Sequence, residues 1–240
     1  TAFLYDGPVL KLGTPRCDRL VRPDAAHAAA LKASMGFEAN TRYVLYAPTF
    51  RDKEGLEDDT AHEALDVDYI AERLKRATGE KWRVLLRVHP SVAEKAIAVS
   101  ELGVNVSAWE DMMDLLEVAD ALISDYSSSV GDYILTGRPV VLFQHDLEDY
   151  ERDSRELRFD MGGSPYVAAR TNEEVALKLA GLFCDGGIAA ANDAEIAAFY
   201  NTYETGHSAE STCRFLVTGE LDSGAASLEP APRGFPWSLT

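Results

Sequence analysis

Positive charge is scarce in this chain. Lysine and arginine number 23 against 40 aspartates and glutamates, a formal net charge of −17 over 240 residues. A general nucleic-acid binder needs a cationic footprint, so that class is excluded. A phosphorylated ligand would have to be met by a local gathering of the few cations, and an acidic surface with one basic cleft is expected. Cysteine is nearly as rare. Cys17, Cys184 and Cys213 are far apart and odd in number, which indicates neither a disulfide framework nor a zinc ribbon and makes a reducing interior the simplest compartment. No apolar run approaches the roughly 18 residues that span a bilayer. The opening TAFLYDGPVLKLG lacks the basic start and long apolar core of a signal peptide. There is no GxxxxGK[ST], so P-loop chemistry is excluded, and no His/Asp/Glu set has the spacing of a metal site. The first residue is not Met and the chain opens inside a strand approach, as expected of a piece of a longer protein.

What remains is rich in core-forming residues, 46% hydrophobic. Short apolar runs alternate with helical patterns and no repeat is visible. Strands are expected at 9–13, 43–47, 83–88, 104–106, 121–124, 139–143 and 166–168. Helices are expected at 24–35, 68–78, 91–101, 111–118, 127–136, 172–183, 193–203 and 208–217. Residues 60–63 are a weaker helix start. Strict alternation with near-continuous apolar strands predicts an α/β fold, a Rossmann-like parallel sheet with helices on both faces. Residues 1–218 read as one domain, and 219–240, rich in Gly, Pro, Ala and Ser, as an extended or mobile tail.

Open parallel sheets bind ligands beyond the carboxyl ends of their strands. The loops after four of the strands carry Arg16, Arg51, Arg87 and His89, and after ALI comes Ser124-Asp125-Tyr126-Ser127-Ser128-Ser129. These loops are expected to gather on one edge. A helix start offers unpaired N–H groups and a partial positive charge to a phosphate, and Ser127, Ser128 and Ser129 add hydroxyl donors. The alternative is an ordinary N-cap with two incidental serines. Arg87 and His89 are two apart, so alternation puts them on one side. His89 at the sheet edge is placed to donate to, or protonate, a phosphate oxygen; the alternative is a strand-end histidine bonded to a carbonyl. Asp132 is either an acceptor for ribose hydroxyls or a solvated acid. Ser124 and Asp125 are expected to brace the loop. His145 opens a charged stretch that reads as a solvated face. Trp82, Trp109 and Trp237 read as packing residues.

Six elements in series resemble a known family. They are Gly13-Thr14-Pro15-Arg16-Cys17-Asp18, Ala47-Pro48-Thr49-Phe50-Arg51-Asp52, Arg87-Val88-His89-Pro90, the run Ala119-Asp120-Ala121-Leu122-Ile123-Ser124-Asp125-Tyr126-Ser127-Ser128, Arg138-Pro139, and Asp146-Leu147-Glu148-Asp149-Tyr150. The family is that of the CDP-glycerol glycerophosphotransferases, the teichoic acid and capsule-polymer polymerases. The resemblance implies a GT-B fold, with this chain its carboxyl-terminal, nucleotide-binding domain and the amino-terminal acceptor half absent. It implies transfer of glycerol phosphate, or a related alditol phosphate, from a CDP-activated donor to a growing, lipid-linked polymer, with release of CMP and no metal or other cofactor. By similarity Arg87, His89 and Ser127–Ser129 hold the pyrophosphate, and the loop of Thr49, Phe50 and Arg51 frames the cytidine; the reading of the residues adds Arg16 to the pyrophosphate set, His89 as the catalytic proton donor and Asp132 for the ribose. A cytoplasmic site at the inner face of the membrane, with peripheral contact through the missing half, also follows from the resemblance. The sequence departs from the family at Arg155-Glu156-Leu157-Arg158-Phe159-Asp160 and at Glu204-Thr205-Gly206-His207. Two rival functions stand beside it: a glycosyltransferase of the same architecture using a UDP- or GDP-sugar, and a catalytically inactive nucleotide-binding module.

Overall fold

Of the six residues of Thr41–Tyr46 (β2), only Arg42 escapes full burial. A strand buried on both faces belongs inside a parallel sheet covered above and below. That is its place in the computed structural model, which describes residues 8–50, 64–89, 100–153, 166–184, 203–220 and 228–230. These residues fall into two units, 23–201 and the pair of segments 1–22 and 202–240.

The larger unit holds a six-stranded sheet. Its members are β2, Lys81–Leu86 (β3), Gly103–Asn105 (β4), Ala121–Ser124 (β5), Val140–Phe143 (β6) and Val167–Ala169 (β7), all parallel, in the order β4-β3-β2-β5-β6-β7. This is the expected Rossmann-like α/β architecture. Helix caps are written into the sequence. Asp24 accepts from the N–H groups of Ala26 and His27 at the start of Ala25–Ser34. Asp66 accepts from Tyr69 N–H ahead of Val67–Thr78, and Asp111 from Met113 N–H ahead of Met112–Val118. Each satisfies a first-turn donor that the helix leaves unpaired. Gly79, at φ +75, closes Val67–Thr78 in the left-handed conformation that an L side chain resists. One core cluster joins Val44, Tyr46, Val84, Leu86, Ile123, Val141 and Phe143 to Ile70 and Leu74 of Val67–Thr78 and to Val175 and Leu179 of Asn172–Cys184. Leu122 and Leu142 are equally buried but, by alternation, face the opposite side.

The amino edge of the sheet is a fastening. Asp120 Oδ2 accepts from Tyr43 N–H at 2.9 Å, and Asp120 N–H donates to Tyr43 O at 2.7 Å. Lys32 stands 3.5 Å from the same carboxylate. Arg138 donates to the carbonyls of Glu117 and Ala119, and Tyr133 O–H to Ala119 O. Asp120→Ala is therefore expected to destabilise the chain by about 1–3 kcal/mol, the range for losing a hydrogen bond to a charged group, while nucleotide affinity at the far edge is unchanged. Urea unfolding paired with calorimetric titration checks both halves.

The other unit is built from the two ends of the chain. Pro8–Leu10 (β1) pairs antiparallel with Leu228–Pro230 (β8), Pro8 opposite Pro230 and Leu10 opposite Leu228. This corrects one expectation: the first strand is no member of the parallel sheet, so the loop that carries Arg16 does not follow one of its strands. A short 3-10 turn, Pro15–Cys17, and the helices Asp18–Val21 and Ser208–Thr218 complete the unit. Gly13, at φ +82, lies against Ser208, Glu204 and the Tyr203 carbonyl so closely that a Cβ would collide. Thr14 N–H donates to the Glu204 carboxylate at 2.9 Å. Asp18 accepts from Ser208 N–H at 2.8 Å and Ala209 N–H at 2.9 Å. Burial opposes ionisation of Asp18, and those N–H groups more than offset it, holding its carboxyl below the usual range. The first of the six motif elements thus locks residues 13–18 to 203–209. The segment read as a tail contributes β8, and Arg16 is exposed on this unit.

Candidate functional site

The chain leaves β2 toward β3 but leaves β5 toward β6, on opposite sides. Loops that follow two such neighbours diverge and open a crevice at the carboxyl edge, where open sheets take their ligands. Residues 47–50 follow β2 and residues 125–128 follow β5.

Asp125 ties the two loops together. Its carboxylate, on a residue only 3% exposed, accepts from Thr49 Oγ1 at 2.6 Å, Thr49 N–H at 2.9 Å and Tyr126 N–H at 2.6 Å. Just below, Ser124 Oγ donates to the Ala47 carbonyl at 2.7 Å. Ser124 and Asp125 hold the floor of the crevice, and Thr49 spends both its donors on that brace.

On one side of the brace, the Phe50 and His89 rings lie 4.6 Å apart, tilted by 35°. Phe50 is packed against the core and His89 is exposed, so an anchored ring fixes the plane of a solvent-facing imidazole. On the other side, Ser127 Oγ and Ser129 Oγ are hydrogen-bonded at 2.9 Å, and Ser129 N–H reaches Ser127 Oγ at 3.3 Å. The helix that follows is Ser129–Tyr133, continued by a 3-10 turn at Ile134–Thr136. It is shorter than the expected 127–136, and Ser128 at its start makes no side-chain cap. Asp132 lies half-buried in that helix.

Arg87 and His89 take different neighbours. β3 ends at Leu86, and Arg87 turns toward the end of β4, where Nη1 donates to the carbonyls of Ser107 at 2.6 Å and of Trp109. Burial pushes its guanidinium below the ordinary value, although an arginine stays charged throughout. With the Val106 carbonyl at 3.4 Å, three carbonyls beyond the end of β4 accept from this one guanidinium. Of the four cations expected on one edge, the described residues of this sheet contribute Arg87 and His89. Arg16 lies in the other unit, and Arg51 lies outside the described residues, as do residues 60–63, residues 91–99 and 193–202 of two expected helices, and Trp237; residues 100, 101 and 203 are not helical.

A clamp escaped the sequence reading. Tyr126 stacks on Tyr150, with centroids 3.9 Å apart, and its hydroxyl donates to Asp146 at 3.2 Å. Tyr150 belongs to a helix, Leu147–Asp153, in the stretch read as a solvated charge run. Together these groups pin the start of the serine turn. His27 was also passed over: its Nδ1 lies 2.7 Å from the buried Glu117. A lone glutamate in the apolar run MMDLLEV was the available signal.

The sequence profile of the family described as CDP-Glycerol:Poly(glycerophosphate) glycerophosphotransferase matches residues 1–218. The chain belongs to that family. A teichoic acid glycerol-phosphate transferase of Staphylococcus aureus (strain NCTC 8325 / PS 47) is 30% identical over 154 residues, 63% of this chain and 39% of that protein. A teichoic acid poly(ribitol-phosphate) polymerase of Bacillus spizizenii (strain ATCC 23059 / NRRL B-14472 / W23) is 33% identical over 178 residues, 70% of this chain and 27% of that protein. The chain thus spans well under half of the curated relatives it matches. Among solved structures, a histidine-to-asparagine variant of the wall teichoic acid polymerase TagF, soaked with CDPG, superposes with a TM-score of 0.65 at 24% identity, over 87% of this chain and 50% of that one. The shared fold is one half of a GT-B architecture.

Within the family frame the motif elements sort by place. Ala119-Asp120 and Arg138-Pro139 fasten the amino edge. Thr49-Phe50, His89 and Asp125–Ser128 line the carboxyl edge. Asp146 and Tyr150 stand behind the serine turn and hold it.

Proposed function

We propose that this chain is the donor-binding half of a transferase that moves glycerol phosphate, or a related alditol phosphate, from a CDP-activated donor to a growing teichoic-acid-like or capsular polymer and releases CMP. The observation that carries this reading is the braced crevice between β2 and β5 in a chain of this family. Asp125 sets an aromatic–imidazole pair and a serine turn on its two sides. The loop of Thr49, Phe50 and Arg51 frames the cytidine, Asp132 takes the ribose hydroxyls, and Ser127–Ser129 take the pyrophosphate. Arg87 acts on this site by shaping the loop after β4. Arg16, in the other unit, remains a candidate for the donor phosphates on the strength of its motif.

In the reaction, an acceptor hydroxyl oxygen bonds to the phosphorus that bears the alditol. The bond from that phosphorus to the bridging oxygen breaks, and CMP departs. Such a displacement depends mainly on positioning and charge stabilisation. His89 donates a proton to the departing phosphate oxygen, and the acceptor's own proton goes to a base in the remainder of the enzyme. No metal enters this scheme. The acceptor is a lipid-linked polymer, which sets the site of action at the inner, cytoplasmic face of the membrane. Contact there is peripheral and made through the remainder of the enzyme; among the described residues no helix is long and apolar enough to cross a membrane.

Calorimetric titration of this chain with CDP-glycerol, CDP-ribitol, UDP-glucose and GDP-mannose tests the reading. The CDP-alditols are expected to bind, with affinity unchanged by a chelator, and the UDP- and GDP-sugars to bind at least tenfold more weakly, a difference of about 1.4 kcal/mol. Tighter binding of a sugar nucleotide would overturn it in favour of a glycosyltransferase.

A further inference from the structure

We infer that the Gln144 carboxamide is a ligand-binding donor that completes the phosphoryl pocket on the β6 side of the crevice; the inference rests on the donor-binding reading above. Gln144 is only 4% exposed, and its Nε2 has no hydrogen-bond partner among the described residues. Buried side-chain amides are paired in the large majority of cases, so an exception calls for a reason. The backbone supplies no excuse: Gln144 N–H donates to Ala169 O at 2.8 Å and continues the line of β6.

The topology says where this donor lies. Ser124 of β5 is in register with Leu142 of β6, and side chains two apart share a face. Gln144 is therefore on the face of Ser124 and Leu142, opposite the core cluster of Ile123, Val141 and Phe143. Right-handed crossovers put Ser129–Tyr133 on that same face, because β5 leads to β6 in the sense opposite to that of β2 to β3. The serine turn and the unpaired amide thus share one face at one edge.

Their chemistry also converges. Two hydroxyls bonded to each other, Ser127 and Ser129, use one proton between them and keep one for an outside acceptor. The amide adds N–H donors and no charge. A group rich in oxygens and poor in protons matches such a set, and a phosphoryl group of a nucleoside diphosphate ester is of that class.

The test is Gln144→Met, which keeps volume and removes the donor. With the carboxamide serving ligand alone, the free variant is expected to melt at or above the wild-type temperature, while CDP-glycerol binds about tenfold more weakly by calorimetry. A CMP titration locates the contact. Loss with both ligands assigns the nucleoside-side phosphoryl group, and loss with CDP-glycerol alone assigns the alditol-side one. Gln144→Glu keeps the shape and sets a carboxylate against the phosphate, and is expected to weaken binding further. Wild-type affinity for both ligands in the Met variant, or a lowered melting temperature that makes the carboxamide structural, overturns the inference. Failure of the wild type to bind either nucleotide removes the donor-binding reading itself, a distinct result.

Discussion

Replacing His89 by alanine is expected to lower turnover of CDP-glycerol by about 100-fold or more while leaving its affinity within a few-fold of wild type. The loss matches the ~10²–10⁴-fold attributed to a positioned general acid. The geometry gives the reason for the split. His89 is exposed and its ring is held by Phe50, so its removal leaves the Asp125 brace and the serine turn in place. Phe50→Ala is expected to give a smaller fall in the same direction, because the imidazole remains but loses the surface that fixes its plane. CMP release, followed with the longest natural form of the protein, measures both. Turnover by His89→Ala at the wild-type rate would falsify the acid role; a loss confined to affinity would make His89 a binding group.

Asp125→Ala is expected to cost about 3–5 kcal/mol of stability and to reduce CDP-glycerol affinity at least tenfold. Here a nearly inaccessible carboxylate satisfies three donors from two loops. Its removal leaves three half-buried donors of Thr49 and Tyr126 without their acceptor, at about 1–3 kcal/mol for each that water does not reach. Asp125→Asn keeps one acceptor oxygen and is expected to fall between the two. Denaturant unfolding reads the stability and calorimetry the affinity. A stable alanine variant with intact nucleotide binding would show that each loop stands without the other.

The parallel sheet was legible because its strands are apolar almost throughout. Ala121–Ser124 was read to the residue, and the others within about two positions. The helix caps are equally local, although Asp24 and Asp111 read as first helical residues: Asp24, Asp66 and Asp111 each precede a helix and bond its first turn. What failed were inferences across space. The run VLKLG looks like another sheet strand, and nothing local reveals that residues 8–10 pair with a segment more than two hundred positions away. The partners of Arg87 and His89 were not legible either: carbonyls beyond the end of β4 hold the one and an aromatic ring lies against the other. Leu147–Asp153 was hidden by its own charge, since a helix of two turns in which Tyr150 is the one buried residue among those with described side chains carries almost no periodic signal. Ser124, Asp125 and Ser127–Ser129 could be singled out because what the sequence showed was their position at and after the end of β5.

The pairing of β1 with β8 has a consequence for synthesis. On the ribosome Pro8–Leu10 emerges more than two hundred residues before its hydrogen-bonding partner, Leu228–Pro230. During that interval the nascent chain carries an unclaimed edge that invites intermolecular association, whereas the sheet of residues 23–201 needs nothing from either end to close its ladder. A gene shortened to stop at residue 218 would make that exposure permanent, and an expression design that keeps residues 228–230 avoids it.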